Sequence, residues 1–214
     1  MPLRKSPRTA LAAATLATLA VGAAVPVGAS AALSSSLNLS CTAPALSKPL
    51  AKWGDTSDYW LATGGDFESS LAGWSVKNAA IASGNETLGV IAGTKSLKLG
   101  VGIGSAEATT PEFCVDPLHP KFRFVVKTNS TVAALNTYIN FKTPLGVTLT
   151  VPAKLNSVGS GNWTLSQSQP LSTAIPDVFL GTGTTASITF KSVTSTPGAA
   201  VSVDNLLIDP YRRG

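Results

Sequence analysis

The chain reads as an all-β protein, an antiparallel sandwich of two sheets. Several short segments alternate apolar and polar residues with period two, and turn signals separate them at close intervals. No stretch has the three-to-four spacing of an amphipathic helix. Strands that repeat in this way, without helices between them, are the pattern of a two-sheet sandwich.

Residues 1–31 read as a signal peptide. Arg4, Lys5 and Arg8 form a basic start, residues 10–25 are nearly all Ala, Leu, Val and Thr, and Ala29-Ser30-Ala31 supplies the small residues for cleavage before Ala32. An uncleaved anchor is the alternative, since the run approaches the length of a membrane span. Pro26 and Gly28 end it, however, so export with cleavage is the expectation, with a secreted protein that is extracellular or associated with the cell wall. No later segment is long and apolar enough to span a bilayer, so no membrane contact is expected after cleavage.

Three of the 16 basic residues leave with the signal and none of the 11 acidic ones does, so the mature chain carries about +2. Its basic residues are scattered, except for Arg212-Arg213 in a tail over 211–214. Nothing there points to a nucleic-acid partner. About 180 residues remain, enough for one domain with a substantial core. Export exposes Cys41 and Cys114 to an oxidising compartment, and a disulfide between them is the natural reading. It would close a loop of about seventy residues and add on the order of 4 kcal/mol.

The elements follow in order. Residues 32–58 form an N-terminal arm, broken by Pro44 and Pro49 and tethered by Cys41. Residues 59–210 form the sandwich. Tyr59-Trp60-Leu61 opens it, and after the Gly64-Gly65 break Phe67 begins a second extended piece. Trp74 follows a turn at Gly73 and is expected in the core. Ser96-Leu97-Lys98-Leu99 alternates, and Gly100 to Ser105 is read as a hairpin turn. Over 122–127, Phe122, Phe124 and Val126 take one face while Arg123, Val125 and Lys127 take the other. Over 135–142, Leu135, Thr137, Ile139 and Phe141 oppose Asn136, Tyr138, Asn140 and Lys142. Pro144-Leu145-Gly146 turns the chain into a strand over 147–151. Trp163-Thr164-Leu165, Ile188-Thr189-Phe190 and Val201-Ser202-Val203 complete the set, with an irregular loop over 166–184.

Four motifs in this order resemble the galactose-binding-like jelly-roll domains, above all carbohydrate-binding modules of families four and nine. They are Gly65-Asp66-Phe67-Glu68, Gly73-Trp74, Ser96-Leu97-Lys98-Leu99 and Val203-Asp204-Asn205-Leu206-Leu207, and the resemblance covers residues 59–210. The chain departs from the pattern at Gly64, where Asn is usual, and in its cysteine pair and long arm. With Asp209-Pro210-Tyr211-Arg212-Arg213 at its end, it is also similar to small secreted single-domain proteins of high-GC Gram-positive bacteria.

The resemblance implies a jelly roll whose first and last strands meet and whose acids can share a structural Ca²⁺. By motif position these are Glu68 and Asp204, with Asp66 as a possible addition. Two carboxylates with carbonyls and water supply the six to eight oxygens that Ca²⁺ takes. The alternative is that both acids satisfy backbone N–H groups or pair with a lysine. The resemblance also implies glycan binding by aromatic faces with polar side chains beside them. Arg123, Tyr138 and Asn140 line such a groove if that sheet face is the concave one, and the face is solvated surface otherwise. Trp53, Tyr59 and Trp60 are either an exposed platform or packed over the sheet.

Catalysis finds little support. His119 is the sole histidine, no G-x-S-x-G elbow accompanies it, and zinc ligands are lacking. A hydrolase needing only two carboxylates is the weakest reading. The expectation is a non-catalytic carbohydrate-binding module whose partner is a polysaccharide or cell-wall glycan. The competing reading is a structural or adhesion protein of the cell envelope with no sugar ligand.

Overall fold

The computed structural model describes residues 45–102, 104–115, 121–131, 133–153, 161–171, 184–194 and 196–209. The chain divides into Met1–Ser36 and Leu37–Gly214, and every described residue belongs to the second unit. The signal segment, the first part of the arm, Cys41, His119 and the basic tail lie outside the described residues.

Among the described residues, two antiparallel sheets account for the regular structure, with one short 3-10 turn, η1 (Ala51–Trp53). The strands are β1 (Trp60–Leu61), β2 (Ser75–Lys77), β3 (Ala79–Ser83), β4 (Lys95–Leu99), β5 (Gly104–Thr109), β6 (Phe113–Cys114) and β7 (Lys121–Thr128). They continue as β8 (Ala134–Lys142), β9 (Thr148–Pro152), β10 (Thr164–Leu165), β11 (Gln169–Pro170), β12 (Thr185–Thr194) and β13 (Val201–Asp209). One sheet has the order β10-β7-β13-β4-β3, with β1 on β13 and β11 on β7; the other has the order β2-β5-β12-β8-β9, with β6 on β12.

The core lies between the sheets because each strand's period-two apolar set faces inward. Leu97, Leu99, Phe122, Phe124, Val126, Val203 and Ile208 of the seven-stranded sheet meet Ala106, Ala108, Ile139, Phe141, Ile188 and Phe190 of the six-stranded one. Phe124 and Phe190 join them edge to face, with ring centroids 5.0 Å apart. Trp74 is buried here as expected, its indole N–H donating to the Thr63 carbonyl at 2.9 Å.

Two expectations are corrected. The Gly64–Glu68 segment is a turn, not a strand, with Gly64 at φ 66° and Phe67 at φ 55°. The left-handed turn at Phe67 accompanies a fully buried ring, which packs edge-on against Trp74 at 5.3 Å. Gly65 allows this close approach: a Cβ there would lie 2.9 Å from the Ala62 carbonyl oxygen and 3.1 Å from Leu206 Cβ. The strand that meets the last one is instead β1, with Trp60 opposite Ile208 and Leu61 opposite Leu207.

Gly100 to Gly104 is likewise no hairpin turn, because β4 and β5 belong to different sheets. Residues 75–83 and 95–109 form one long ribbon that bends over the sandwich edge: β3 pairs with β4 in one sheet and β2 with β5 in the other. Asn78, at φ 47°, makes the corner. Its carbonyl accepts from Gly100 N at 2.9 Å, and its side-chain amide donates to the Ser105 carbonyl at 3.0 Å. Asn is suited to this place because its short polar side chain tolerates the left-handed region.

The outer faces of the two sheets differ. On the seven-stranded sheet, Val125, Leu207 and Trp163 point outward and are covered by Leu50 and Tyr59 of the arm and by Val90 of the 84–94 loop. A bridge between Ser47 and Tyr59 fixes the arm to itself. The six-stranded sheet has no such cover among the described residues.

Candidate functional site

The outer face of the six-stranded sheet, without such cover among the described residues, is built from outward positions of four strands. The pairing register sets Thr109, Thr189, Tyr138 and Pro152 in one row across the sheet, and Ser187, Asn140 and Thr150 in the next. Neighbouring strands lie about 4.8 Å apart, and residues two apart along a strand about 7 Å apart. The row positions therefore form a grid about the size of a sugar ring. Ser187 and Thr189 of the central strand are nearly buried, Tyr138 and Asn140 are half-buried, and Thr150 and Pro152 are exposed. Short hydroxyl side chains thus make a floor below the longer side chains around them.

The floor is hydrogen-bonded within itself. The Thr109 and Thr189 hydroxyls are 2.8 Å apart. Asn140 Nδ2 donates to Thr189 Oγ1 at 2.9 Å and to Ser187 Oγ at 3.4 Å, while its Oδ1 accepts from the Thr150 hydroxyl at 2.8 Å. Asn140 therefore orients the hydroxyls beside it more than it offers free groups of its own. The Tyr138 ring stands next to Pro152, and its hydroxyl has no partner among the described residues. Two ion pairs lie at the margin of this face. Lys191 lies 3.8 Å from Glu107, and Lys142 donates to Glu112 at 2.8 Å. The Lys142 hydrogen bond, with a second from Thr185, holds the Glu112 carboxyl below its usual range against the opposing effect of burial.

Arg123 does not share this face. Tyr138 and Asn140 lie on β8 of the six-stranded sheet, whereas Arg123 lies on β7 of the other and points outward on the opposite side of the sandwich. Alternation distinguishes inward from outward positions, but it cannot reveal that consecutive strands belong to different sheets. Arg123 is instead a clamp for the arm. Its Nη1 donates to Asp55 Oδ2 at 3.0 Å, and Nε and Nη2 donate to the Ser166 carbonyl at 3.2 and 3.1 Å. Asp55 also accepts from the Tyr59 hydroxyl at 2.7 Å and from Ser57 N at 3.1 Å. Burial opposes ionisation of Asp55, but these hydrogen bonds outweigh it and bring its pKa to about 2. Replacing Arg123 with Ala should cost about 2 kcal/mol, since it strands a half-buried carboxylate. Limited proteolysis should then cut the arm over 45–58 faster, while any polysaccharide retention is unchanged.

Glu68 and Asp204 occupy the seam where β1 replaces β4 beside β13. The register of β13 against β7 shifts between Asp204 and Leu207, with Asn205 at φ 49°. This bulge accompanies a fully buried Asp204, whose Oδ2 accepts from Glu86 N at 3.0 Å and Oδ1 from Asn205 N at 2.9 Å. Glu86, which carries no motif, is the member that sequence reasoning missed. Its carboxylate accepts from Gly89 N at 2.8 Å and Val90 N at 2.6 Å, and so shapes the 84–94 loop. Glu68 accepts from Thr94 N and Lys95 N, both at 2.7 Å, and these bonds lower its pKa. Gly93 makes room for it, since a Cβ there would overlap Glu68 Oε1.

Burial, reinforced by repulsion from Glu86 and Glu68, raises the Asp204 pKa to about 7 despite its two N–H donors. A buried carboxylate beside two other acids is an environment that a cation would relieve. The oxygen donors suit a hard ion such as Ca²⁺. Among the described residues no three His, Cys, Asp or Glu side chains gather around one point, so backbone carbonyls or water would have to complete the ligand set. Asp66 Oδ1 accepts from Glu68 N at 3.3 Å. Cys114 lies on β6, and its expected partner Cys41 is outside the described residues. Among the described residues no helix is long and apolar enough to cross a membrane.

No protein-family model and no curated protein matches the chain. Solved structures similar to it include several carbohydrate-binding modules. The CBM22-1 xylan-binding domain of Xyn10C from Paenibacillus barcinonensis is similar over 69% of this chain and 91% of its own, at 15% identity and a TM-score of 0.48. TmCBM61, solved in complex with β-1,4-galactotriose, is similar over 70% of this chain and 97% of its own, at 14% identity and a TM-score of 0.45. The enzymatically active domain of tailspike protein 4 from bacteriophage CBA120 is similar over 68% of this chain, at 17% identity and a TM-score of 0.48. This chain spans 20% of that tailspike chain. These structures do not show the expected likeness to families four and nine in particular. The fold and the residues of the site are argued from this chain alone.

Proposed function

We propose that this protein is a secreted, non-catalytic carbohydrate-binding domain of the jelly-roll type, and that the outer face of its six-stranded sheet takes a polysaccharide. The observation that carries this reading is the contrast between the two outer faces. The arm covers one, while the other presents Tyr138 and Pro152 beside an ordered array of hydroxyls. A pyranose has apolar C–H faces and a hydroxylated rim, and such a surface offers a counterpart to each. Tyr138 would stack on the ring and donate its free hydroxyl, Thr109 and Thr150 would exchange hydrogen bonds with the sugar hydroxyls, and Asn140 would hold those threonines in place.

Two stabilising features belong to the same reading. Glu68 and Asp204 would hold a structural Ca²⁺, which would neutralise the buried carboxylate and fix the 84–94 loop to β13. Cys41 and Cys114 would tether the arm covalently.

The test is retention of the purified mature protein on insoluble cellulose, chitin, xylan and peptidoglycan, with and without EDTA. Retention on one polymer supports the reading. Absence of retention on all of them would contradict it and favour a structural or adhesion role in the cell envelope.

A further inference from the structure

Of the four tryptophans, Trp60, Trp74 and Trp163 are 6–8% exposed, whereas Trp53 is 44% exposed. Burying a tryptophan is among the larger gains open to a fold, so an exposed one in an ordered segment invites explanation. Trp53 ends η1 on the arm, just before Gly54, whose left-handed conformation closes the turn with a 2.9 Å hydrogen bond to the Ala51 carbonyl. Its ring is held in place. The Lys52 ammonium lies 4.1 Å from the ring centroid and is itself fixed by the carbonyls of Leu88 and Gly89. One face of the indole is thus occupied by a cation that two backbone carbonyls hold. The other face makes no aromatic or core contact among the described residues.

We infer that Trp53 is a second glycan contact, an indole held ready to stack on a pyranose ring of a separate chain. Leu50, three residues earlier, packs on the outward side of the seven-stranded sheet, so Trp53 and Tyr138 lie on opposite sides of the sandwich. One flat chain cannot reach both, and the protein would bridge two chains. An indole already stacked on one face has less rotamer freedom to lose when it binds, which favours a contribution from a single aromatic side chain. This inference rests on the glycan-binding reading and extends it from one site to two.

The test uses the mature protein labelled with ¹⁵N, titrated with cello-, xylo-, chito- and galacto-oligosaccharides. The indole N–H signal of Trp53 is assigned by its loss in Trp53→Phe. The expected result is that a sugar which shifts the resonances of Thr109, Tyr138 and Thr150 also shifts the Trp53 indole. That second shift should persist in Tyr138→Ala, with the first site disabled. Trp53→Ala should then lower the turbidity that the protein produces with the matching soluble polysaccharide by roughly fivefold or more. If the sheet face responds while the Trp53 indole does not, the second site is overturned and the sheet-face site stands. If neither responds to any of the four sugars, both fall together.

Discussion

Tyr138→Ala is expected to abolish polysaccharide retention while leaving the fold intact. The ring is half-buried on the outer face of β8, away from the packed interior, so its removal opens no core cavity. Its loss should weaken binding by roughly 30-fold or more, as for the central aromatic of a binding surface. The melting temperature should fall by no more than a few degrees. Asn140→Ala should have a smaller effect of roughly fivefold. It removes no ligand contact, but it frees the Thr189 and Thr150 hydroxyls that Asn140 now orients. Affinity electrophoresis in gels containing the soluble polymer separates these two effects. Equal losses for the two variants would contradict the roles assigned to them.

The second large effect concerns pH and calcium. In EDTA the protein should lose stability as pH rises from about 4 to about 7. Asp204 in the folded chain keeps its proton to about 7, raised from the ordinary 3.8 chiefly by burial and further by Glu86 and Glu68. The unfolded chain releases that proton near 3.8. Between the two values the folded state binds more protons, so stability falls across the window, by on the order of 4 kcal/mol in all. Above pH 7 this contribution is flat. Ca²⁺ acts in the opposite direction, because it binds the ionised carboxylate. At a hundredfold excess over its Kd it should add about 2.7 kcal/mol, with its full effect above pH 7. Calorimetry from pH 4 to pH 8, with EDTA and with Ca²⁺, measures both. A melting temperature independent of pH in EDTA would contradict the buried Asp204, and no response to Ca²⁺ at pH 8 would contradict the metal site.

Much of the fold was legible because strand alternation is a local property. The inward sets of β4, β7 and β8 follow directly from period two, and Phe122, Phe124, Ile139 and Phe141 lie in the core as expected. What alternation leaves out is which sheet a strand joins. That depends on corners such as Asn78, where one residue in the left-handed region carries a ribbon from one sheet to the other. The same blindness placed Arg123 with Tyr138, although both point outward from opposite sheets. Asp55 and Ser166, the true partners of Arg123, lie 68 and 43 residues away in sequence and carry no motif. The acidic seam was half legible. Glu68 and Asp204 stand in motifs near the two ends of the domain, but Glu86 lies in a loop, and only the closure of that loop through Gly89 N and Val90 N brings it to Asp204. The piece from Phe67 is not extended, because the ring of Phe67 reaches the core through a left-handed turn that continues the Gly64-Gly65 break.

The central claim is that the open face of the six-stranded sheet binds a glycan, and backbone amide shift mapping tests it most directly. The measurement is a titration of ¹⁵N-labelled protein with soluble fragments of whichever polymer retains it. The account predicts that the largest shifts fall on Thr109, Tyr138, Asn140, Thr150 and Thr189, and that Arg123 does not move. Shifts centred on Arg123 and the arm, with the sheet face silent, would contradict it.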